Sequence, residues 1–376
     1  MGAKTAAARS AFTVREEQRA AFLSEIGWGA AETAPLAGDA SNRLYLRLRL
    51  GQRRAVLMDA PPASESASCP PGASPAERER LGYNALARLA GPNMNAFLCI
   101  AEALRDLGLS APEIYAADPE TGFALLEDLG DALFSQAIAA GADEAALYAA
   151  AIDVLCRLHA APPAETLTTR HGAYQLQTYD KTALTAEISL LPDWYWPHRL
   201  GDAPSRTAKA EFLASWRAPF ALAVNAPPAL TLRDYHADNL IWLERREGAA
   251  RAGLLDFQDA VIGHPAYDLV SLLCDVRRDV SPETRAAMLQ RYCDHRRADD
   301  SQFDADAFRA GYAVLGAQRN TKIVGIFARL ANRDGKRAYL DYLPRAERLL
   351  RENLADPAMA PVRAWLDASA PAELSL

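Results

Sequence analysis

The sequence predicts an α+β fold of two lobes. A small β-rich lobe spans residues 14–129 and a larger, mostly helical lobe spans residues 130–376, behind a disordered N-terminus of residues 1–13. Three observations carry this. "RLYLRLRL" sets Leu44, Leu46, Leu48 and Leu50 on one face and Arg43, Arg47 and Arg49 on the other, the period of two of a strand. "FALLEDLGD" is an apolar run that stops at acidic residues and a glycine, as a buried strand ends. Beyond it, Ala-rich segments with helical spacing dominate to the C-terminus.

The elements follow in order. "VREEQRAAFLSEIGW" predicts a helix. After "RLYLRLRL", Gly51 and Gln52 turn the chain and "RAVLMDA" returns it, which makes a β-hairpin. Residues 61–75 are rich in Pro, Ser and Ala and read as a loop. "PAERERLGYNALARLA" and "AFLCIAEALRDLG" are helical, and "FALLEDLGD" closes the small lobe. "DEAALYAAAIDVLCRLHAA" is a long helix with Leu147, Ile152, Leu155 and Leu158 near helical spacing. The later helices are interrupted by "LTLRDYHADNLIWLE" and "AGLLDFQDAVIGHPAYDLVSLL". There is no internal repeat. With two lobes, the natural place for a site is the cleft between them.

Composition excludes several classes. A net charge of −7 leaves no electrostatic footprint for nucleic acid or an anionic membrane, so neither is expected as a partner. The five cysteines are odd in number, scattered and without a C-x-x-C pair, which predicts reduced thiols rather than a disulfide framework. The first residues lack the apolar core of a signal peptide, and Ala6 stands where a myristoylation signal wants Ser or Thr. No apolar run approaches a membrane span. These absences point to the cytoplasm.

The chemistry concentrates in "LRDYHADNL". Asp234 and Asn239 are polar residues between two apolar runs, and Asp256 in "LLDFQDA" follows Asn239 by 17 residues. The intervening "LIWLERREGAARAGLLD" reads as strand, charged turn, strand, so Asn239 and Asp256 can lie side by side. Two such oxygen ligands suit Mg2+, which keeps water or phosphate in its other positions. Asp234, just ahead, is placed to orient and deprotonate a hydroxyl. This is the spacing of the kinase catalytic loop, R-D-x-x-x-x-N followed by an Asp-Phe metal motif. Surface turns with capping aspartates are the plainer alternative. A two-metal hydrolase site built from His236, Asp238, Asp256, Asp259 and His264 is another, without a known ligand spacing.

The chain resembles the aminoglycoside phosphotransferase and choline kinase family, and is most similar to its branch of bacterial anomeric kinases of N-acetylmuramate and N-acetylglucosamine. The matching pieces are "GDASNRLYLRL", "VLMDAPP", "LLEDLGD", "LRDYHADNL", "LLDFQDAVIGHPAYDLVSLL" and "KIVGIFARLANRDGKRAYLDYLPR", which span nearly the whole chain. The resemblance implies a protein-kinase-like fold and ATP-dependent, Mg2+-assisted phosphorylation of a small-molecule sugar in cell-wall recycling. It implies Asp234 as catalytic base and Asn239 and Asp256 as metal ligands. Asp39, Ser41, Asn42 and Arg43 match the turn over the nucleotide, Glu127, Asp128 and Leu129 the adenine hinge, and Asp268 a buried anchor for the catalytic loop. Leu232 replaces the usual His ahead of Arg-Asp. Met58 falls where a lysine would grip the phosphates, so another cation must help; Arg43 and Arg47 are the candidates, or both face water. A kinase for another amino sugar or small alcohol, and a nucleotide-binding pseudokinase, remain as alternatives.

Two weaker signals concern the acceptor. "YDKTALTAEISLLPDWYW" offers Asp180, Glu187 and Trp194 for the edges and face of a sugar ring, or an aromatic helix end packed in the core. His236 and Asp259 lie close enough in sequence to the catalytic motifs to touch substrate or to hold the loop. Arg319, Lys322, Arg329 and Arg333 recur at roughly helical spacing, either as a solvated face or as a positive wall around an anionic substrate.

Overall fold

The computed structural model describes residues 2–36, 43–62, 69–371 and 374, with side chains from Val14 onward. Helix α1 (Gly2–Glu25) precedes a five-stranded antiparallel sheet made of β1 (Glu32–Pro35), β2 (Leu44–Leu50), β3 (Arg53–Asp59), β4 (Ile114–Asp118) and β5 (Phe123–Leu126), in the order β1-β2-β3-β5-β4. The helix expected from Val14 begins instead at Gly2. The added turns carry Ala3, Ala6, Ala7 and Ala8, the residue type with the highest helix propensity.

The leucine stripe of β2 packs under α1, where Leu46 and Leu48 join Leu57, Phe123 and Leu125 against Phe22, Leu23 and Trp28. Arg15 and Arg19 then fasten α1 to the buried Asp59, at 2.6 and 3.3 Å. The opposite face of β2, with Tyr45 and Arg47, borders a cavity rather than bulk water. Leu50 pairs with Arg53 across a two-residue turn, and Gly51 supplies the φ of +60° that this turn requires.

Helices α2 (Pro75–Leu81), α3 (Tyr83–Leu86) and α4 (Met94–Asp106) lie between β3 and β4. A capping box of Ser74 and Glu77 starts α2, and Gly82 at φ +96° separates it from α3. The second lobe follows with α5 (Phe134–Ala139), α6 (Glu144–Ala160), the hairpin β6 (Thr166–Thr169) and β7 (Gly172–Gln175), and α7 (Lys181–Ile188). A π-helical turn, Leu191–Tyr195, leads into α8 (Trp196–Leu200), α9 (Arg206–Ser215) and α10 (Arg217–Val224).

Four short strands then frame the polar motifs: β8 (Ala229–Thr231), β9 (Leu240–Trp242), β10 (Ala252–Leu254) and β11 (Val261–Gly263). β9 pairs with β10 and β8 with β11, both antiparallel. The chain ends in α11 (Ala266–Leu273), α12 (Pro282–Asp299), α13 (Ala305–Arg333), α14 (Leu343–Leu354) and α15 (Ala360–Ser369). The 29-residue α13 is the spine of this lobe and packs on α7, α11, α14 and the π-helical turn. Gly325 permits that approach: a Cβ there would lie 2.4 Å from the Leu190 carbonyl carbon. Among the described residues, no helix is long and apolar enough to cross a membrane.

Candidate active site

Strand β8 delivers the chain to Leu232 and β9 takes it away from Asn239, so residues 233–238 form a loop fixed at both ends. Asp268, fully buried near the start of α11, accepts from the backbone N–H groups of Leu232 and Arg233 at 2.8 Å each. These bonds hold Arg233 at φ +70°, a conformation that costs a non-glycine residue about 1–3 kcal/mol unless its surroundings impose it. The next residue, Asp234, is half-buried.

Electrostatics keep Asp234 ionised. Burial pushes its carboxyl up, but the Lys322 and Arg319 charges on α13 outweigh burial and leave it below the ordinary carboxylate range. Asn239 donates its amide to the Asp234 carbonyl at 2.8 Å. Its backbone carbonyl accepts from Leu255 N at 3.0 Å, which sets Asp256 beside Asn239 as the strand–turn–strand reading expected. Asp256 sits at φ +55° and accepts from Gln258 Nε2 at 2.7 Å. Burial, followed by the Asp234 charge, pushes the Asp256 carboxyl up to about 6. At Asp256 burial and the Asp234 charge outweigh the nearby Arg43, and the donor set of one carboxylate and one amide suits Mg2+. Asn239 and Asp256 therefore fit the metal that the motif implies.

A cavity of about 270 Å³ opens next to this pair. Val56, Leu129, Phe257 and Ile241 give it apolar walls, and Glu127, Asp128 and Leu129 run along its edge. The hinge side chains are engaged elsewhere: Glu127 pairs with Arg246, and Asp128 pairs with Arg47 at 2.8 Å. That leaves Leu129, the apolar walls and backbone for a flat ring.

Arg47, a candidate for the phosphates, is spent on the hinge: it also chelates Asp131 at 2.7 and 2.8 Å. Arg43 instead reaches within 3.8 Å of Asp256 Oδ1. Met58 is buried in β3 opposite Tyr45, whose hydroxyl lies 3.6 Å from its sulfur. Asp39, Ser41 and Asn42 lie outside the described residues.

The acceptor candidates fall in different settings. Glu187 is fully buried and its carboxylate is saturated by protein partners. It receives Arg233 Nη2 at 2.6 Å, Lys322 Nζ at 3.0 Å, Gln318 Nε2 at 2.9 Å and the Tyr179 hydroxyl. Asp180 caps α7 through Ala183 N and is held by Arg78 at 2.6 Å and Arg88 at 3.3 Å, so its carboxylate joins α2 to α7. Trp194 is half-buried on the π-helical turn that packs against α13. His236 is buried, pushed down to about 3 by that burial, and its Nε2 faces the Asn239 amide at 3.3 Å, which marks it as a neutral prop for Asn239. Asp259 accepts from Ala90 N at 2.7 Å and ties the α3–α4 connection to the site.

The hydrolase alternative fails on geometry. His264 accepts from Ala266 N and lies against Phe308, and among the described residues no three His, Cys, Asp or Glu side chains gather as a metal site.

Two residues around the site escaped the sequence. His159 on α6 stands 3.5 Å from Asp268, behind the anchor. Tyr83 at the start of α3 feels the Glu187, Lys322, Arg329 and Arg233 charges, and burial pushes its phenol up to about 12. No local pattern announces either, because both act through elements distant in sequence.

Comparison with known proteins agrees with this arrangement. Residues 32–310 match the phosphotransferase enzyme family. A protein of Caulobacter vibrioides named N-acetylmuramate/N-acetylglucosamine kinase is 49% identical over 96% of this chain and 98% of its own length. A protein of the same name from Pseudomonas aeruginosa is 34% identical over 89% of this chain and 88% of its own. Among solved structures, a choline kinase of Streptococcus pneumoniae shares the fold with a TM-score of 0.54 at 14% identity, over 89% of this chain and 99% of that one. An aminoglycoside 2'-phosphotransferase in complex with GDP does so with a TM-score of 0.52 at 14% identity, over 86% and 92%. The two-lobed, protein-kinase-like architecture and the catalytic-loop motif thus have one explanation: the chain belongs to the phosphotransferase enzyme family.

Proposed function

We propose that the protein transfers the γ-phosphoryl group of ATP, with Mg2+, to the anomeric hydroxyl of N-acetylmuramate and N-acetylglucosamine. The observation that carries this reading is the ionised Asp234 beside Asn239 and Asp256, the last two of which line the cavity. The names of the 49% and 34% identical relatives supply the sugars.

The chain's part is positioning and charge, which is most of what phosphoryl transfer asks of a protein. Val56, Leu129 and Phe257 would sandwich the base, and Arg43 would face the phosphates. Asn239 and Asp256 would hold Mg2+, which when bound offsets the charge of the phosphate oxygens. Asp234 would accept the proton of the attacking hydroxyl. The anomeric hydroxyl is more acidic than the other hydroxyls of the ring, because the ring oxygen withdraws charge, so a carboxylate base matches it.

The test is sugar-dependent release of ADP by the purified protein over a panel of amino sugars and small alcohols, with GTP as a second donor. Free N-acetylmuramate and N-acetylglucosamine should be turned over, and their methyl glycosides, which block the anomeric oxygen, should not. Transfer to a methyl glycoside at the rate of the free sugar would refute the site of transfer.

A further inference from the structure

The two sugars in the relatives' name differ by one charged group: N-acetylmuramate carries a lactyl carboxylate that N-acetylglucosamine lacks. An enzyme that grips the first by this group needs a cation free of other carboxylates, away from the reacting end. Helix α13 carries five basic residues; Arg309, near its start, is engaged with Gln290 and Cys293, which leaves four candidates. Lys322 is paired with Glu187 at 3.0 Å, and Arg333 with Asp334 at 2.7 Å. Arg319 is buried, donates to Ser271 Oγ at 2.9 Å and acts on Asp234, so it belongs to the reacting end.

Arg329 differs from the other three. Among the described residues it forms no ion pair and no hydrogen bond, and its buried Nε has no partner. Its guanidinium lies over the Tyr83 ring, 4.8 Å from the centroid. Burial, ahead of the opposing Tyr83 and Asp334 and the neighbouring Arg333 charge, pushes its pKa down. Tyr83 lies on α3, which packs against α7, the helix whose Glu187 also binds Lys322 and Arg233. Along α13, Arg329 lies seven residues beyond Lys322, which is about 10 Å, or two turns on the same face.

We propose that Arg329, backed by Tyr83, is the subsite for the lactyl carboxylate of N-acetylmuramate. The inference rests on the reaction proposed above. A guanidinium over an aromatic face keeps its N–H edge for a carboxylate, and the planar fork matches both oxygens. With the anomeric hydroxyl at Asp234, the lactyl arm is the part of the sugar that can reach away from the phosphates. N-acetylglucosamine has nothing to offer this cation, so the subsite sets selectivity rather than turnover.

The test compares kcat/KM for N-acetylmuramate, its methyl ester and N-acetylglucosamine in the wild type, Arg329→Gln and Arg329→Lys. The wild type should prefer the acid to the ester at least tenfold. In Arg329→Gln that preference should collapse toward one, and the ratio of N-acetylmuramate to N-acetylglucosamine should fall at least tenfold, through KM. Arg329→Lys should recover part of both. If Arg329→Gln lowers both sugars by the same factor, Arg329 is a clamp between α3 and α13 and the subsite is refuted. If Arg329→Gln does not fold, the wild type and Arg329→Lys decide: equal use of acid and ester by the wild type refutes the subsite. A wild type that turns over neither sugar refutes the proposed reaction itself, and the subsite with it.

Discussion

Arg233 donates to Glu187 Oε1 across 2.6 Å, with the two side chains 2% and 0% exposed. The bond joins the residue ahead of Asp234 to helix α7, 46 positions away in sequence. Lys322, Gln318 and Tyr179 complete the same hub, so the catalytic loop, α7 and α13 share one buried carboxylate.

Glu187→Gln should therefore cost stability rather than sugar affinity. Removing one partner of a buried ion pair costs about 3–5 kcal/mol, because the remaining charges stay desolvated. The sign with pH follows from the Glu187 carboxyl. Burial pushes it up, but Lys322 and Arg233 outweigh burial and leave it below its ordinary value. Its stabilisation is then complete above about pH 4.3 and is lost as pH falls through the lower folded value. Denaturant unfolding should show a constant gap between wild type and variant from about pH 5 to 8, narrowing in stronger acid. A variant with unchanged stability and a raised KM for sugar would return Glu187 to the acceptor site.

Asp234→Asn should lower kcat by roughly 10²–10⁴, the worth of general-base assistance, while nucleotide affinity stays close to that of the wild type. In the proposed reaction the base acts on the acceptor, and Asp234 is not among the residues that line the cavity. Single-turnover kinetics with a separate nucleotide titration check this. A variant that keeps most of its turnover would remove Asp234 from the reaction.

Asn239→Ala and Asp256→Ala should both raise the Mg2+ concentration needed for half-maximal rate, Asp256→Ala the more. A carboxylate neutralises metal charge where an amide only directs a dipole. Asn239→Ala also loses the bond to the Asp234 carbonyl and so should lower kcat at saturating Mg2+. Unchanged Mg2+ dependence in both variants would dismiss the metal site.

Asp268→Ala should destabilise the protein by about 2–5 kcal/mol, since two buried N–H groups lose their acceptor at once. Those two bonds also impose the strained Arg233 backbone. Asp268→Asn keeps one acceptor oxygen and should fall between wild type and Ala in both melting temperature and kcat. An Asn variant with wild-type kcat and lowered stability would separate the anchor from the reaction.

The sequence by itself determined the pieces whose physics is local. The alternation of "RLYLRLRL" gave β2, because a strand sends successive side chains to opposite faces, and Gly51 supplied the turn that follows. The spacing of Asp234, Asn239 and Asp256 foretold their meeting, because a hairpin closes its own ends without help from the rest of the chain. Tertiary structure decided where each charge is spent. Arg43, just ahead of β2, and Arg47, within it, are four residues apart, yet Arg47 closes on Asp128 and Asp131 while Arg43 reaches Asp256. Asp180 and Glu187 read alike as acidic residues near aromatics, and became a helix cap and a buried hub once Arg78, Arg233 and Lys322 arrived from distant elements. A charged side chain carries no local sign of its partner. Only the packed fold brings the opposite charge within reach, and low dielectric around the pair then makes the pairing matter.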